Sequence, residues 1–121
     1  MSIRVELDEL RAVAEQQMPF AYLLTVSGDA SARAVAITPR IDADVITCEA
    51  GRHSCENAIA RPDVSLLWPP VDPGDYSLIV DGTATVDGSV VRIRATRAVR
   101  HRPAPGGGSD CETVPIERDA Q

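Results

Sequence analysis

The stretch Pro62-Asp63-Val64-Ser65-Leu66-Leu67-Trp68-Pro69 decides the fold. Between its prolines, Val64 to Trp68 is a dense apolar run that reads as a β-strand, and hydrophobicity this continuous predicts burial on both faces. Upstream lies Gly51-Arg52-His53-Ser54-Cys55-Glu56-Asn57-Ala58-Ile59-Ala60-Arg61-Pro62. Ser54 is placed as an N-cap, Glu56 suits the positive end of a helix, and Pro62 stops it, which predicts a short helix.

Further toward the N-terminus, Ala21 to Val26 and Ser31 to Thr38 read as strands joined by a Ser27-Gly28-Asp29 turn. Val45 to Glu49 follows after Asp42-Ala43-Asp44, and the three strands are expected to form a meander. Leu7, Leu10, Val13 and Ala14 recur at helical spacing, with Asp8 and Glu9 in the first turn, and this helix should end before Pro19. Downstream, Pro69 to Asp75 is a rigid loop. Tyr76 to Val86 is a long strand bent at Gly82, Asp87-Gly88 is a hairpin signal, and Val90 to Arg102 is the last strand. The expected architecture is mainly β: an antiparallel split barrel of about six strands, an N-terminal helix and one short helix after the third strand. Residues 1–103 form the barrel domain. Residues 104–121, with Pro105-Gly106-Gly107-Gly108-Ser109, read as a Pro/Gly-rich polar tail.

A chain of 121 residues fits one domain. Its 12 basic residues are all arginine, which excludes a catalytic lysine, a Schiff base and a Walker-type phosphate loop, and points to a GC-rich genome. The net charge is −6, but Arg92, Arg94, Arg97, Arg100 and Arg102 follow one another without an intervening acid. The period of two in Arg92-Ile93-Arg94-Ala95 makes them the solvated face of a strand. Aromatic residues are only 3%, leaving no platform for stacked bases, so the composition speaks against nucleic acid. Cys48, Cys55 and Cys111 match no zinc or thioredoxin spacing and read as apolar filler in a reduced compartment. No leader and no membrane-length apolar run is evident, so the chain is expected to be soluble and cytoplasmic, with no membrane partner.

The block from Tyr22 to Val86 resembles the pyridoxamine 5'-phosphate oxidase-like family, the flavin-binding split barrels. Tyr22-Leu23-Leu24-Thr25-Val26 looks like its first barrel strand, and Arg33-Ala34-Val35-Ala36-Ile37-Thr38 like its Arg-x-apolar-apolar-apolar-Lys strand. Gly51 to Pro62 matches the length of its phosphate loop and helix. Pro62-Asp63-Val64-Ser65-Leu66-Leu67-Trp68-Pro69 matches its run Pro-x-Val-Ser-Leu-Leu-aromatic-Pro. The resemblance implies a homodimer that holds FMN at the subunit interface, or the deazaflavin coenzyme F-420 as in related actinobacterial branches. The implied activity is an oxidoreductase that transfers a hydride to or from a small organic substrate. It places Arg33, Val35 and Thr38 along the cofactor, Thr47 and Cys48 near its ring or ribityl chain, and Arg52, His53 and Ser54 at its phosphate.

The chemistry suits an anion, since free N–H groups at a helix start beside an arginine form an anion site. The chain departs from the family pattern in two places. The family's strand-end lysine is Thr38 here, and its Arg-Lys pair at the helix start is His53-Ser54, with Arg52 displaced by one. The alternative is therefore a non-catalytic split-barrel dimer that binds a small anionic ligand. From the residues alone, Arg33 and Arg52 also read as surface arginines, Cys48 as a buried thiol, Ser54 as a cap only, and Trp68 as a core or interface residue. Tyr76 could line a pocket. No catalytic residue and no metal site is evident.

Overall fold

The computed structural model describes residues 1–104. The tail expected over 104–121 lies outside the described residues except for Ala104. Eight strands form one curled antiparallel sheet: β1 (Ser2–Val5), β2 (Ala21–Val26), β3 (Ala32–Ile37), β4 (Arg40–Asp42), β5 (Val45–Glu49), β6 (Asp63–Trp68), β7 (Ser77–Asp87) and β8 (Val90–His101). The order is β3-β2-β6-β7-β8-β5-β4, with β1 paired to β8 beyond the end of β5. This is the expected split barrel: all six expected strands form, and β1 and β4 are short additions.

The meander is corrected by this order. The first hairpin forms, with Ala21 opposite Ile37 and Val26 opposite Ala32. The third strand of the expected meander, β5, pairs with β8 and not with β3. Chain adjacency therefore does not become spatial adjacency here, and β3 and β4 are left as the two rims of the split.

At the centre, β6 alternates. Val64, Leu66 and Trp68 are buried, while Ser65 and Leu67 are half-buried. Burial on both faces is thus incomplete: one face is core and the other carries the ordinary period of a one-sided strand. Strands β7 and β8 form a long hairpin around Asp87-Gly88, where Gly88 supplies the positive φ of +63°. The bend expected at Gly82 is a bulge between Asp81 and Gly82. Thr96 is the extra residue on β8, and its hydroxyl donates to the Asp81 carbonyl at 3.1 Å. Inward positions consequently run Val91, Ile93, Ala95 before the bulge and Ala98 after it. A Cβ on Gly82 would lie 2.5 Å from the Arg94 carbonyl oxygen, so this close backbone approach requires glycine.

The N-terminal helix is shorter than its periodicity predicts. A 3-10 turn (Leu7–Glu9) leads into α1 (Leu10–Ala14), which buries Leu10 and Ala14. Beyond it, Gln17 Nε2 donates to the carbonyls of Trp68, Pro69 and Tyr76 at 3.2, 3.2 and 2.9 Å, closing that end of the barrel. The second helix, α2 (Arg52–Ala60), buries Ser54, Cys55 and Ala58. Its N-cap is Gly51 with no side-chain hydrogen bond, so Ser54 lies inside the first turn and is not the cap. Two bonds tie α2 to β2: Asn57 Nδ2 donates to the buried Thr25 Oγ1 at 3.1 Å, and Arg61 Nε donates to the Val26 carbonyl at 2.6 Å.

Candidate functional site

The split between the rims opens two adjoining clefts. The smaller, about 610 Å³, lies where β3 ends and β5 passes, and is lined by Phe20, Ala36, Thr38, Arg40, Thr47 and Cys48 among others. Its walls are apolar from Phe20, Ala36, Ile37 and Val90, with hydroxyls from Thr38 and Thr47 and one charge of each sign from Arg40 and Glu49. The larger, about 960 Å³, lies between α1 and the β4–β5 hairpin, with Gln17, Trp68 and Arg92 in its lining. Arg40 and Thr47 line both clefts.

Of the residues singled out in the sequence, the structure gathers Thr38, Thr47 and Cys48 at the smaller cleft. Arg33 and Val35 lie on the exposed strand β3, opposite Thr25 and Leu23, and do not line it. Arg52, His53 and Ser54 form the first turn of α2 and do not line it either. Their backbone N–H groups still face no side-chain cap, as an anion-binding helix start requires. His53 is exposed and lies 3.8 Å from Glu56 along its own helix. Arg33 stands across the hairpin from Thr25, whose buried hydroxyl accepts from Asn57 of α2.

Cys48 is buried, as its plain structural reading expects. Burial pushes its thiol up from 9.0 to about 11, with Cys55 adding to the effect. At neutral pH it is a neutral thiol and not an activated nucleophile. Tyr76 lines neither cleft. Its ring instead carries two cation–π contacts, with Arg100 Cζ at 5.1 Å and Arg102 Cζ at 4.4 Å from the centroid. The basic stretch therefore divides after Arg97: Arg92, Arg94 and Arg97 are exposed, whereas Arg100 and Arg102 are half-buried. His101 accepts or donates one bond, Nδ1 to Ser2 Oγ at 2.9 Å.

Sequence reasoning missed Arg40. Its only signal was its place just before the Asp42-Ala43-Asp44 turn, where Ala43 has a φ of +57°. Two residues beyond Thr38, Arg40 brings a positive charge to the cleft from which the expected lysine is missing. Among the described residues there is no cluster of His, Cys, Asp and Glu that could hold a metal ion. No helix among them is long and apolar enough to cross a membrane.

A curled antiparallel sheet split between two rim strands, with a cleft at the split, is the architecture of the pyridoxamine 5'-phosphate oxidase-like split barrels. Solved structures agree. A protein related to general stress protein 26 (pyridoxinephosphate oxidase family) from Clostridium acetobutylicum superposes with a TM-score of 0.62 at 11% identity, over 81% of this chain and 91% of that one. An F420 reductase gives 0.60 at 16% identity, over 78% and 97%. The FAD-binding protein from Mycobacterium smegmatis gives 0.59 at 15% identity, over 84% and 100%. No family model matches the sequence. The uncharacterized protein Mb0449c of Mycobacterium bovis is 36% identical over 84% of this chain and 82% of its own length. The uncharacterized protein MT0457 of Mycobacterium tuberculosis matches with the same identity and the same shares of both chains. The chain belongs to the family of these mycobacterial proteins, and its fold is the split barrel.

Proposed function

We propose that the protein binds a flavin-type cofactor, FMN or the deazaflavin F-420, as a homodimer and serves as an oxidoreductase for a small organic substrate. The observation that carries this reading is the smaller cleft: an apolar wall with the Thr38 and Thr47 hydroxyls and Arg40 at one rim of a split barrel. The donor set fits such a group. A flat ring needs an apolar wall with a few placed donors, and an anionic end needs guanidinium or free backbone N–H groups. When bound, the cofactor would supply the hydride chemistry. Thr38 and Thr47 would orient it. Phe20, Ala36 and Val90 would exclude water, and Arg33, Arg52 and the uncapped turn over His53 and Ser54 would meet its negative charge. Cys48 would stay protonated in the wall. No protein acid or base is required, and neither His53 nor His101 lines the cleft.

The dimer reading rests on the outward face of β2, β3 and β6. There Tyr22 stands between Ala36 and Leu67, Leu24 between Ala34 and Ser65, and Val26 opposite Ala32. Tyr22 and Val26 are 38% and 37% exposed, an apolar face that a second copy would cover. Sedimentation equilibrium should give twice the chain mass. A monomer at micromolar concentration would remove this interface.

One observation favours the alternative, a non-catalytic dimer that binds a small anionic ligand: Thr38, His53 and Ser54 stand where the family pattern has basic residues. Quenching of FMN and F-420 fluorescence by the purified protein tests the choice. Saturable quenching supports the cofactor reading. No quenching by either at near-millimolar concentration rejects it in favour of the alternative.

A further inference from the structure

The sheet register sets two arginines on either side of one threonine. Arg40 pairs with Thr47 across β4 and β5, and Thr47 pairs with Arg92 across β5 and β8. Directly paired residues on adjacent strands project from the same face. With strands about 4.8 Å apart, the two arginines rise from points on the order of 10 Å from each other, with the Thr47 hydroxyl between them. Ile46 and Cys48, the neighbours of Thr47, are buried, so the row lies on the face away from the core. All three residues line the larger cleft.

The charges around this row leave it positive. Among the described residues, neither Arg40 nor Arg92 has a carboxylate within 4 Å. The cleft's Glu15 is taken by Arg11 at 3.5 Å, and Asp44 is taken by Arg94 at 3.8 Å. Asp42 also lines the larger cleft and Glu49 the smaller, and among the described residues neither is ion-paired, so Arg11, Arg40 and Arg92 outnumber Glu15 and Asp42 in the larger cleft by one charge. Two unneutralised guanidinium groups flanking a hydroxyl suit an anion with several acceptor oxygens.

We propose that Arg40, Thr47 and Arg92 form an anion clamp in the larger cleft that takes one phosphate or carboxylate group. It is distinct from the sequence-expected anion site at Arg33, Arg52, His53 and Ser54. Because Arg40 and Thr47 also line the smaller cleft, the clamped anion sits beside whatever that cleft holds. The clamp deepens the cofactor reading but depends on it only for the source of the anion, which is either the cofactor's own phosphate or a separate anionic substrate.

Two titrations test it on the full chain, with Arg40→Ala, Arg92→Ala and the control Arg94→Ala, all exposed positions. The first is calorimetry with inorganic phosphate. The second compares FMN with riboflavin by fluorescence quenching. Arg40→Ala and Arg92→Ala should each weaken phosphate binding by about tenfold or more, while Arg94→Ala should change it little. If the same two variants also erase the preference for FMN over riboflavin, the clamp holds the cofactor's phosphate. If that preference is unchanged while phosphate binding falls, it holds a separate anion. If the wild type binds phosphate but no flavin, the cofactor reading fails and the clamp stands. Absence of phosphate binding by the wild type, or equal binding by all variants, overturns the clamp.

Discussion

The β7–β8 hairpin and the rim strands β3 and β4 use the sheet in opposite ways. Alternate residues, Leu78 to Ala84 in β7 and Val91 to Ala95 in β8, are committed to the core. Leu78, Val80, Val91 and Ile93 are completely buried, and the bulge at Asp81/Gly82 restores inward alternation after Thr96 interrupts it. Strand β3 buries only Ile37, and β4 buries nothing fully. The hairpin spends its side chains on stability. The rims leave theirs at the split, where they are available to a ligand or a second copy, and the clefts open there. Substitutions should therefore divide cleanly: large losses of stability in the hairpin and its neighbours, losses of binding at the rims.

The largest effect is expected at Gly82. Gly82→Val must fit a side chain where even a Cβ meets the Arg94 carbonyl oxygen at 2.5 Å and Ile93 Cγ2 at 2.6 Å. The backbone cannot yield without breaking the bulge, and a loss of about 3 kcal/mol or more is expected in urea unfolding. A variant of wild-type stability would show that the two strands separate easily at this point. Next, Leu66→Ala removes a fully buried side chain from the central strand and should cost about 2–5 kcal/mol in the same measurement. A cost below about 1 kcal/mol would mean that the core collapses around the gap.

Cys48 sharpens the contrast, since it is buried yet borders the rim cleft. Burial raises its folded pKa to about 11, above the thiol's ordinary 9.0. The unfolded chain therefore ionises first, and the stabilisation from the neutral thiol is complete below pH 9 and lost as pH rises from 9 to about 11. Denaturation midpoints should fall across that window, and less so in Cys48→Ala, once each is referred to its own value at pH 8. An equal fall in both proteins would assign the alkaline loss to other groups. A smaller effect is expected from Asn57→Ala, which leaves the buried Thr25 hydroxyl without its partner and should cost about 1 kcal/mol. The smallest is Arg33→Ala on the exposed rim, within about 0.5 kcal/mol of wild-type stability. Its expected effect is on FMN affinity, read by fluorescence quenching.

The same division explains how much was legible in the sequence. Core strands announce themselves as dense apolar runs bounded by turn residues, Val64 to Trp68 in β6 and Leu78 to Val80 in β7, although the runs did not show that only Val64, Leu66, Trp68, Leu78 and Val80 are fully buried. Turn chemistry fixed Asp87-Gly88, and Gly82 marked the bulge. The rims carry little such signal. Ser2-Ile3-Arg4-Val5 buries only Val5 and is a strand because β8 runs past β5 and offers it an edge. Arg40-Ile41-Asp42 is too short to show a period. The meander was misjudged because nothing local in β3 or β5 records that β8 competes for β5.

The site residues divide likewise. Thr38, Thr47 and Cys48 meet at one cleft, but they were legible only through a family resemblance. Arg40 and Arg92 meet across Thr47 by register, which joins residues far apart in the chain and leaves no mark on either segment. Ser54 looked like a cap because it is a serine near a helix start, yet Gly51 opens the helix three residues earlier.

Amide chemical-shift mapping of the labelled protein during an FMN titration tests the central claim most directly, namely that the cleft at the split holds the cofactor. Shifts should concentrate at Phe20, Ala36, Thr38, Thr47 and Val90, while Leu78, Val80 and Ala98 in the committed hairpin stay in place. Shifts scattered over the surface, or confined to the hairpin, would contradict it.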